Sequence, residues 1–210
     1  MLSFNEIYNL YKRGSWETAG DDVQYKFYLD NKDKKIYVVY QCSTSDRDWV
    51  NNFRFFTKSI YVDSRKIECH VGFLSAFLSA KDKVFQQLES YMVGHPDYKV
   101  VMTGHSFGGA MSMLSAMFFY REFNKKANMV TFGSPKVIRF KKDLKFVKET
   151  CLDNYYNWGN YNDMVTYMPP HYTRLGHNRI GEKFNLGKIL FHSDHYHTNY
   201  DELEYPKIEF

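Results

Sequence analysis

The sequence has few of the features that mark secreted, membrane-spanning or nucleic-acid-binding proteins. Its three cysteines, Cys42, Cys69 and Cys151, are too few and too widely spaced for a disulfide framework. No stretch approaches the roughly 20 consecutive apolar residues of a membrane span. Residues 1–22 lack the apolar core of a signal peptide. We therefore expect an intracellular soluble protein, with secretion by another route left open.

Strong charge of either sign is also missing. Lys and Arg together number 28 against 24 Asp and Glu, for a net charge of +4. This mild excess slightly favours an anionic lipid surface, but it falls far short of the dense basic patch of a nucleic-acid binder. Apolar residues make up 44% of the 210 positions, which predicts a single globular domain over residues 1–210. The oligomeric state does not follow from the composition.

Strand and helix patterns alternate along the middle of the chain. Apolar residues recur at helical spacing over 73–92, and a second apolar helix is predicted over 107–123. We also expect short helices at 1–12 and 136–151, and strands at 24–29, 35–41, 98–103, 128–132 and 154–158. The alternation predicts an α/β fold, with a mainly parallel central sheet and helices on both faces.

The strongest motif is the stretch Gly104-His105-Ser106-Phe107-Gly108-Gly109. It lies between the predicted strand and the predicted helix, which is the setting of a nucleophile elbow. Such a turn holds the serine in a strained conformation with its hydroxyl above the sheet. The Phe107 amide at the helix N-terminus would then point to where an oxyanion forms. The alternative is a glycine-rich helix start that merely packs tightly.

A resemblance to class 3 lipases, the family of fungal triacylglycerol lipases, rests on five blocks between Val38 and Tyr200. The block 101–110 around Ser106 is similar to the family's nucleophile block, with Phe107 where Leu is usual. Residues 69–74 and 130–135 resemble two further blocks. The resemblance implies an α/β-hydrolase fold and an ester-cleaving activity on acylglycerol-type lipids. It implies no cofactor.

A serine nucleophile needs a histidine base, and that base needs a carboxylate to orient it. In α/β hydrolases the acid lies between the serine and the histidine in the sequence, just after a strand. Asp163 meets both conditions, and residues 160–170 resemble the family segment Asn-x-x-Asp-x-Val that ends in Pro-Pro. An Asp that only caps a turn is the alternative interpretation.

The base is expected in the C-terminal segment, where His192, His195 and His197 lie close together. The resemblance places the catalytic histidine in a late loop, often as Asp-His, with a tyrosine a few residues later. Asp194-His195 followed by Tyr200 matches best, and His197 is the alternative. These residues could also bind a metal, but no second ligand cluster accompanies them, so no metal is predicted.

A second oxyanion donor should come from the loop after the strand 35–41. The family usually has Arg-Gly-Thr or Arg-Gly-Ser there, followed by Asp-Trp. This chain has Gln41-Cys42-Ser43 and then Asp48-Trp49, so Ser43 keeps the hydroxyl position while the arginine and glycine are lost. The resemblance makes residues 44–58 a lid that contacts a lipid interface. Ordinary packing of a helix on the sheet is the alternative.

The prediction is therefore a serine carboxylic-ester hydrolase whose nucleophile is Ser106, whose base is His195 and whose orienting acid is Asp163. The amides of Ser43 and Phe107 would hold the oxyanion. A phospholipase or a short-chain esterase on the same residues is one alternative. A lipase-like module that has lost activity and binds lipid or protein is another, because the Gln41-Cys42-Ser43 loop departs from the family pattern.

Overall fold

The computed structural model of the chain describes residues 2–41, 56–176 and 178–180, together with Tyr200, Leu203, Tyr205 and Pro206. The helices are α1 (Phe4–Asn9), α2 (Val71–Gly94), α3 (Phe107–Phe123) and α4 (Lys141–Cys151), with 3-10 helices at Leu10–Lys12 and Met164–Tyr167. The strands are β1 (Glu17–Ala19), β2 (Val23–Asp30), β3 (Lys35–Tyr40), β4 (Thr57–Val62), β5 (Arg65–His70), β6 (Lys99–His105), β7 (Ala127–Phe132), β8 (Leu152–Asn160) and β9 (Asn178–Ile180).

Seven strands form one sheet in the order β1-β2-β3-β6-β7-β8-β9. The pairs β1–β2 and β2–β3 are antiparallel, and all neighbouring pairs from β3 to β9 are parallel. The parallel strands β6, β7 and β8 are neighbours, so their carboxyl ends lie at the same edge of the sheet. Strands β4 and β5 form a separate hairpin.

The central strands are buried on both faces, because helices cover both sides of the sheet. Along β3, Ile36, Val38 and Tyr40 belong to the larger core cluster with α2, α3 and α4. Tyr37 and Val39, which point the other way, belong to a second cluster with α1. This two-sided arrangement confirms the predicted α/β-hydrolase class. Within the described ranges, no helix combines the length and hydropathy needed to cross a membrane.

Strands β1, β4, β5 and β9 were not predicted, and several element boundaries differ from the sequence prediction. Strand β5 precedes a helix that begins at Val71 rather than at residue 73. The His70 side chain caps this helix, since its Nδ1 accepts a hydrogen bond from the Phe73 amide at 3.4 Å. Helix α4 begins at Lys141 rather than at residue 136, because Ile138 instead bridges to Cys69 and Thr173.

Candidate active site

Ser106 lies in the turn between β6 and α3, as the motif predicts. Its backbone has φ 54° and ψ −124°, a left-handed conformation that is costly for a residue with a side chain. The turn is held by the Ser106 amide, which donates to the Phe132 carbonyl at 2.9 Å. The strand and helix approach so closely that a Cβ atom at Gly104 would lie 2.3 Å from the Gly108 backbone. Only glycine fits there.

The Phe107 amide lies at the N-terminus of α3, directly after the serine. Amide groups in the first turn of a helix point along its axis, and the helix dipole makes this end positive. A negative charge that develops beside Ser106 would therefore be stabilised by the helix N-terminus. This is the chemistry that an oxyanion requires.

Asp163 follows the end of β8 and is fully buried. The Val165 amide donates to its Oδ1 at 2.9 Å, and the Tyr200 hydroxyl donates to its Oδ2 at 2.6 Å. The Asn160 amide in turn donates to the Tyr200 oxygen at 2.9 Å. Asp163 does cap the short 3-10 helix, but that cap uses only one of its two carboxylate oxygens.

Tyr200 is suited to remain a hydrogen-bond donor to this carboxylate. Burial, followed by the charge of Asp163, holds the pKa of the Tyr200 phenol well above its ordinary value. The phenol therefore keeps its proton at neutral and moderately alkaline pH. Among the described residues, a backbone amide and this phenol both donate to the carboxylate and help to fix its orientation.

Gly133, which follows β7, lies at the centre of this group. A Cβ atom at this position would lie 2.8 Å from Oδ2 of Asp163 and 3.1 Å from both the Tyr200 hydroxyl and Nε2 of His105. Three side chains from distant parts of the sequence thus converge on one glycine, whose φ is 56°. The Gly133 amide donates to the Trp158 carbonyl at 2.8 Å, which joins β7 to β8 at this edge.

Several predicted site residues lie outside the described residues. These are Ser43, the base candidates His195 and His197, and residues 44–55 of the expected lid. The possible metal ligands His192 and Asp194 also lie there. Within the described ranges, no group of three or more His, Cys, Asp or Glu side chains is arranged to hold a metal ion. The described part of the site therefore consists of Ser106, Phe107 and Asp163, with Tyr200 as an added component.

The sequence analysis missed Tyr11. Its hydroxyl donates to the carbonyl of Tyr40, the last residue of β3, and accepts from the amide of His105, the residue before Ser106, at 2.5 Å. No local motif marks this tyrosine among the 18 in the chain. Its contacts become visible only when α1 is seen against the edge of the sheet.

Comparison with known proteins agrees with this geometry. The family model described as Lipase (class 3) matches residues 37–173, which include Ser106 and Asp163. The chain belongs to the class 3 lipase family. The match covers well over half of the chain and confirms the resemblance predicted from the motifs.

The curated relatives of this member of the class 3 lipase family include several fungal lipases. It is 28% identical over 174 residues to a lipase of Rhizomucor miehei, covering 81% of this chain and 47% of that protein. It is 33% identical over 111 residues to a lipase of Rhizopus niveus, covering 51% of this chain and 28% of that one. The chain thus spans about half or less of these relatives. A Fusarium solani relative, 32% identical over 108 residues, is named a secreted mono- and diacylglycerol lipase. That name contrasts with the intracellular location that we expect from the N-terminal residues of this chain.

Solved structures give the same picture. The Rhizomucor miehei triacylglyceride lipase superposes with a TM-score of 0.72 at 26% identity, over 80% of this chain and 66% of that one. A fungal lipase in complex with an inhibitor superposes with a TM-score of 0.68 at 27% identity, over 80% and 65% of the two chains. Both likenesses support the α/β-hydrolase class of this lipase-family chain.

Proposed function

We propose that this class 3 lipase hydrolyses carboxylic esters through an acyl-enzyme intermediate on Ser106. The observation that carries the proposal is the strained Ser106 turn at a helix N-terminus, at the same edge of the sheet as the buried Asp163. A serine held in this way can face a base and an oxyanion site at the same time. A purely structural serine has no need of such strain.

The proposed reaction has two steps. The Ser106 hydroxyl attacks the ester carbonyl while His195 takes its proton, and the imidazolium then protonates the leaving alcohol. Asp163 orients the histidine and stabilises its charge. The amides of Ser43 and Phe107 hold the oxyanion. Water, activated by the same histidine, then hydrolyses the acyl-enzyme and releases the acid.

Tyr200 supports a base in the C-terminal segment, because its hydrogen bond to Asp163 ties that segment to the acid. The tether from Tyr200 is three residues to His197 and five to His195. At roughly 3.3–3.6 Å per residue, these lengths span up to about 10 Å and about 17 Å, so either imidazole has the reach. We keep His195 as the proposed base and His197 as the alternative.

The substrate class is proposed from the relatives, since the described residues support acyl transfer in general. The relatives are named as lipases, and one as a mono- and diacylglycerol lipase. We therefore propose acylglycerol-type esters as substrates. A panel of tributyrin, long-chain triglycerides and phosphatidylcholine separates this proposal from the phospholipase and short-chain esterase alternatives. Hydrolysis of phosphatidylcholine alone would contradict it.

A fluorophosphonate probe tests the nucleophile directly. We expect the wild-type chain to be labelled and Ser106→Ala to lose both labelling and at least about 10³-fold in esterase activity. Ser115→Ala is the matched control, because Ser115 is a buried serine of the same helix that bonds the Tyr40 hydroxyl instead. Folded wild type that is not labelled would contradict the enzyme proposal and favour the lipid- or protein-binding module.

The two base candidates are compared in a separate experiment. We expect His195→Ala to lose activity on the order of 10³-fold and His197→Ala to retain most of it. The reverse result transfers the role of base to His197. Full activity in both variants would contradict a base in this segment.

A further inference from the structure

One phenol hydroxyl joins the two chain segments that precede the proposed oxyanion donors. Tyr11, in the 3-10 helix Leu10–Lys12, donates to the Tyr40 carbonyl and accepts from the His105 amide. Tyr40 ends β3, from which the chain continues to Gln41 and Ser43. His105 ends β6, directly before Ser106. The two bonds span 29 and 94 residues of sequence.

The hydroxyl lies where the parallel ladder between β3 and β6 ends. The last paired residues of this ladder are Tyr40 and Gly104. Beyond them, the Tyr40 carbonyl and the His105 amide need partners, because buried backbone groups rarely remain unpaired. The Tyr11 hydroxyl serves both at once, as acceptor and donor. A Cβ atom at Gly108 would lie 2.9 Å from this hydroxyl, so the first turn of α3 packs against it as well.

The Tyr11 side chain and backbone are themselves held firmly. Its ring stacks on Tyr8 with a centroid distance of 5.8 Å and meets Trp16 edge-on at 5.4 Å. The Lys26 ammonium donates to the Tyr11 carbonyl at 3.0 Å and to the Arg13 carbonyl at 2.5 Å. The ammonium also lies 4.0 Å from the centre of the Trp16 ring. A hydroxyl held this rigidly can fix the spacing of its two partners.

We propose that Tyr11 is a positioning residue that fixes the end of β3, from which the chain leads to the oxyanion loop, relative to the nucleophile turn. This inference rests on the proposed function of Ser106 and Ser43. Oxyanion stabilisation requires donors from both segments at hydrogen-bond distance from one oxygen. A displacement of about 1 Å costs on the order of 10²-fold in rate, so a partial loosening costs less than that.

The test is Tyr11→Phe, which removes the hydroxyl and keeps the ring. On a soluble short-chain nitrophenyl ester we expect kcat to fall on the order of 10-fold while KM stays within about twofold, because the loss affects the transition state more than substrate binding. Tyr25→Phe is the matched control, since it also removes a hydroxyl from a buried tyrosine. The Tyr25 hydroxyl donates to the Glu17 carboxylate at 3.3 Å, away from the site. Its kcat should equal that of wild type. Thermal unfolding of both variants measures the purely structural cost.

A third variant carries p-aminophenylalanine at position 11, which keeps a weaker hydrogen-bonding group at the same place. We expect its kcat to lie between those of wild type and Tyr11→Phe. If Tyr11→Phe does not fold, this variant decides, and a kcat equal to wild type overturns the inference. A kcat of folded Tyr11→Phe equal to that of Tyr25→Phe overturns it as well. If either result overturns the role of Tyr11 while wild type is active and labelled by the probe, the proposed function of Ser106 still stands. A folded wild type that is inactive and unlabelled contradicts the proposed function itself.

Discussion

Gly133 is the residue on which the orientation of the acid depends most directly. Alanine there would have φ 56° and a Cβ atom 2.8 Å from Oδ2 of Asp163. Real Cβ atoms do not approach an oxygen so closely, so the carboxylate or the β7 end must move. The proposed triad depends on that carboxylate, and the site tolerates little displacement.

We therefore predict that Gly133→Ala lowers kcat by at least about 10-fold. Gly14→Ala is the control, because Gly14 has φ 70° and open space around a Cβ atom. Both variants bear a left-handed strain of about 1–2 kcal/mol, measured by denaturant unfolding. Only Gly133→Ala should lose activity beyond its loss of folded protein. Equal activity in the two folded variants would show that this close contact does not matter.

The residues of the site differ in how far the sequence reveals them. Ser106 and Asp163 follow strands and lie in the order that the chemistry requires, so pattern and order predict both. Tyr11 has no such signal, because its role comes from a partner 94 residues away. Tyr200 was expected only as a neighbour of the histidine, and its bond to Asp163 is a tertiary contact.

At the scale of elements, Lys26 of β2 anchors the N-terminal segment that carries Tyr11. Burial lowers the pKa of the Lys26 ammonium to about 8, whereas an unfolded lysine titrates near 10.4. Between these values the unfolded chain binds more protons than the folded chain. The contribution of this group to stability therefore rises with pH across that window and is flat below it.

The measurement is the free energy of unfolding of wild type minus that of Lys26→Met, at pH 7, 8, 9 and 10. We expect this difference to increase from pH 8 to pH 10. Lys66→Met, which removes an exposed lysine of β5, is the control for the loss of a lysine side chain. A level difference for Lys26→Met would show that its ammonium is not disfavoured by folding.

The elements themselves were predicted where hydrophobic periodicity is strong. Helices α2 and α3 both bury many apolar side chains. The spacing of these residues predicted both ends of each helix to within two residues. Strand β5 was not predicted, because only two of its residues, Ile67 and Cys69, form an apolar alternation with polar neighbours. The start of α4 was placed too early, because residues 136–139 pair with distant segments instead.

For the whole molecule, the second core cluster joins α1 to the face of the sheet opposite α2 and α3. Phe4 of α1 is 1% exposed and packs edge-on against Tyr156 and Trp158, at centroid distances of 5.0 and 4.8 Å. Phe4 covers the sheet face opposite α2 and α3 together with Ile7, Tyr8 and Leu10 of the same segment, and with Tyr200. Losing it would expose the face that supports Tyr200.

We predict that Phe4→Ala lowers the free energy of unfolding by about 3–5 kcal/mol. Phe56→Ala, at a residue 70% exposed, should change it by less than about 0.5 kcal/mol. Denaturant unfolding, followed by tryptophan fluorescence, measures both. A small effect for Phe4→Ala would mean that α1 is not part of the cooperative unit.

The bond between Tyr11 and His105 also bears on the order in which the molecule forms. It closes a loop of nearly half the chain, and the Tyr200–Asp163 bond joins residues 37 apart. Contacts of such long range are made late, after local helices and hairpins have formed. During refolding, ester hydrolysis should thus be the last property to return, because it needs both the Tyr11–His105 and the Tyr200–Asp163 contacts.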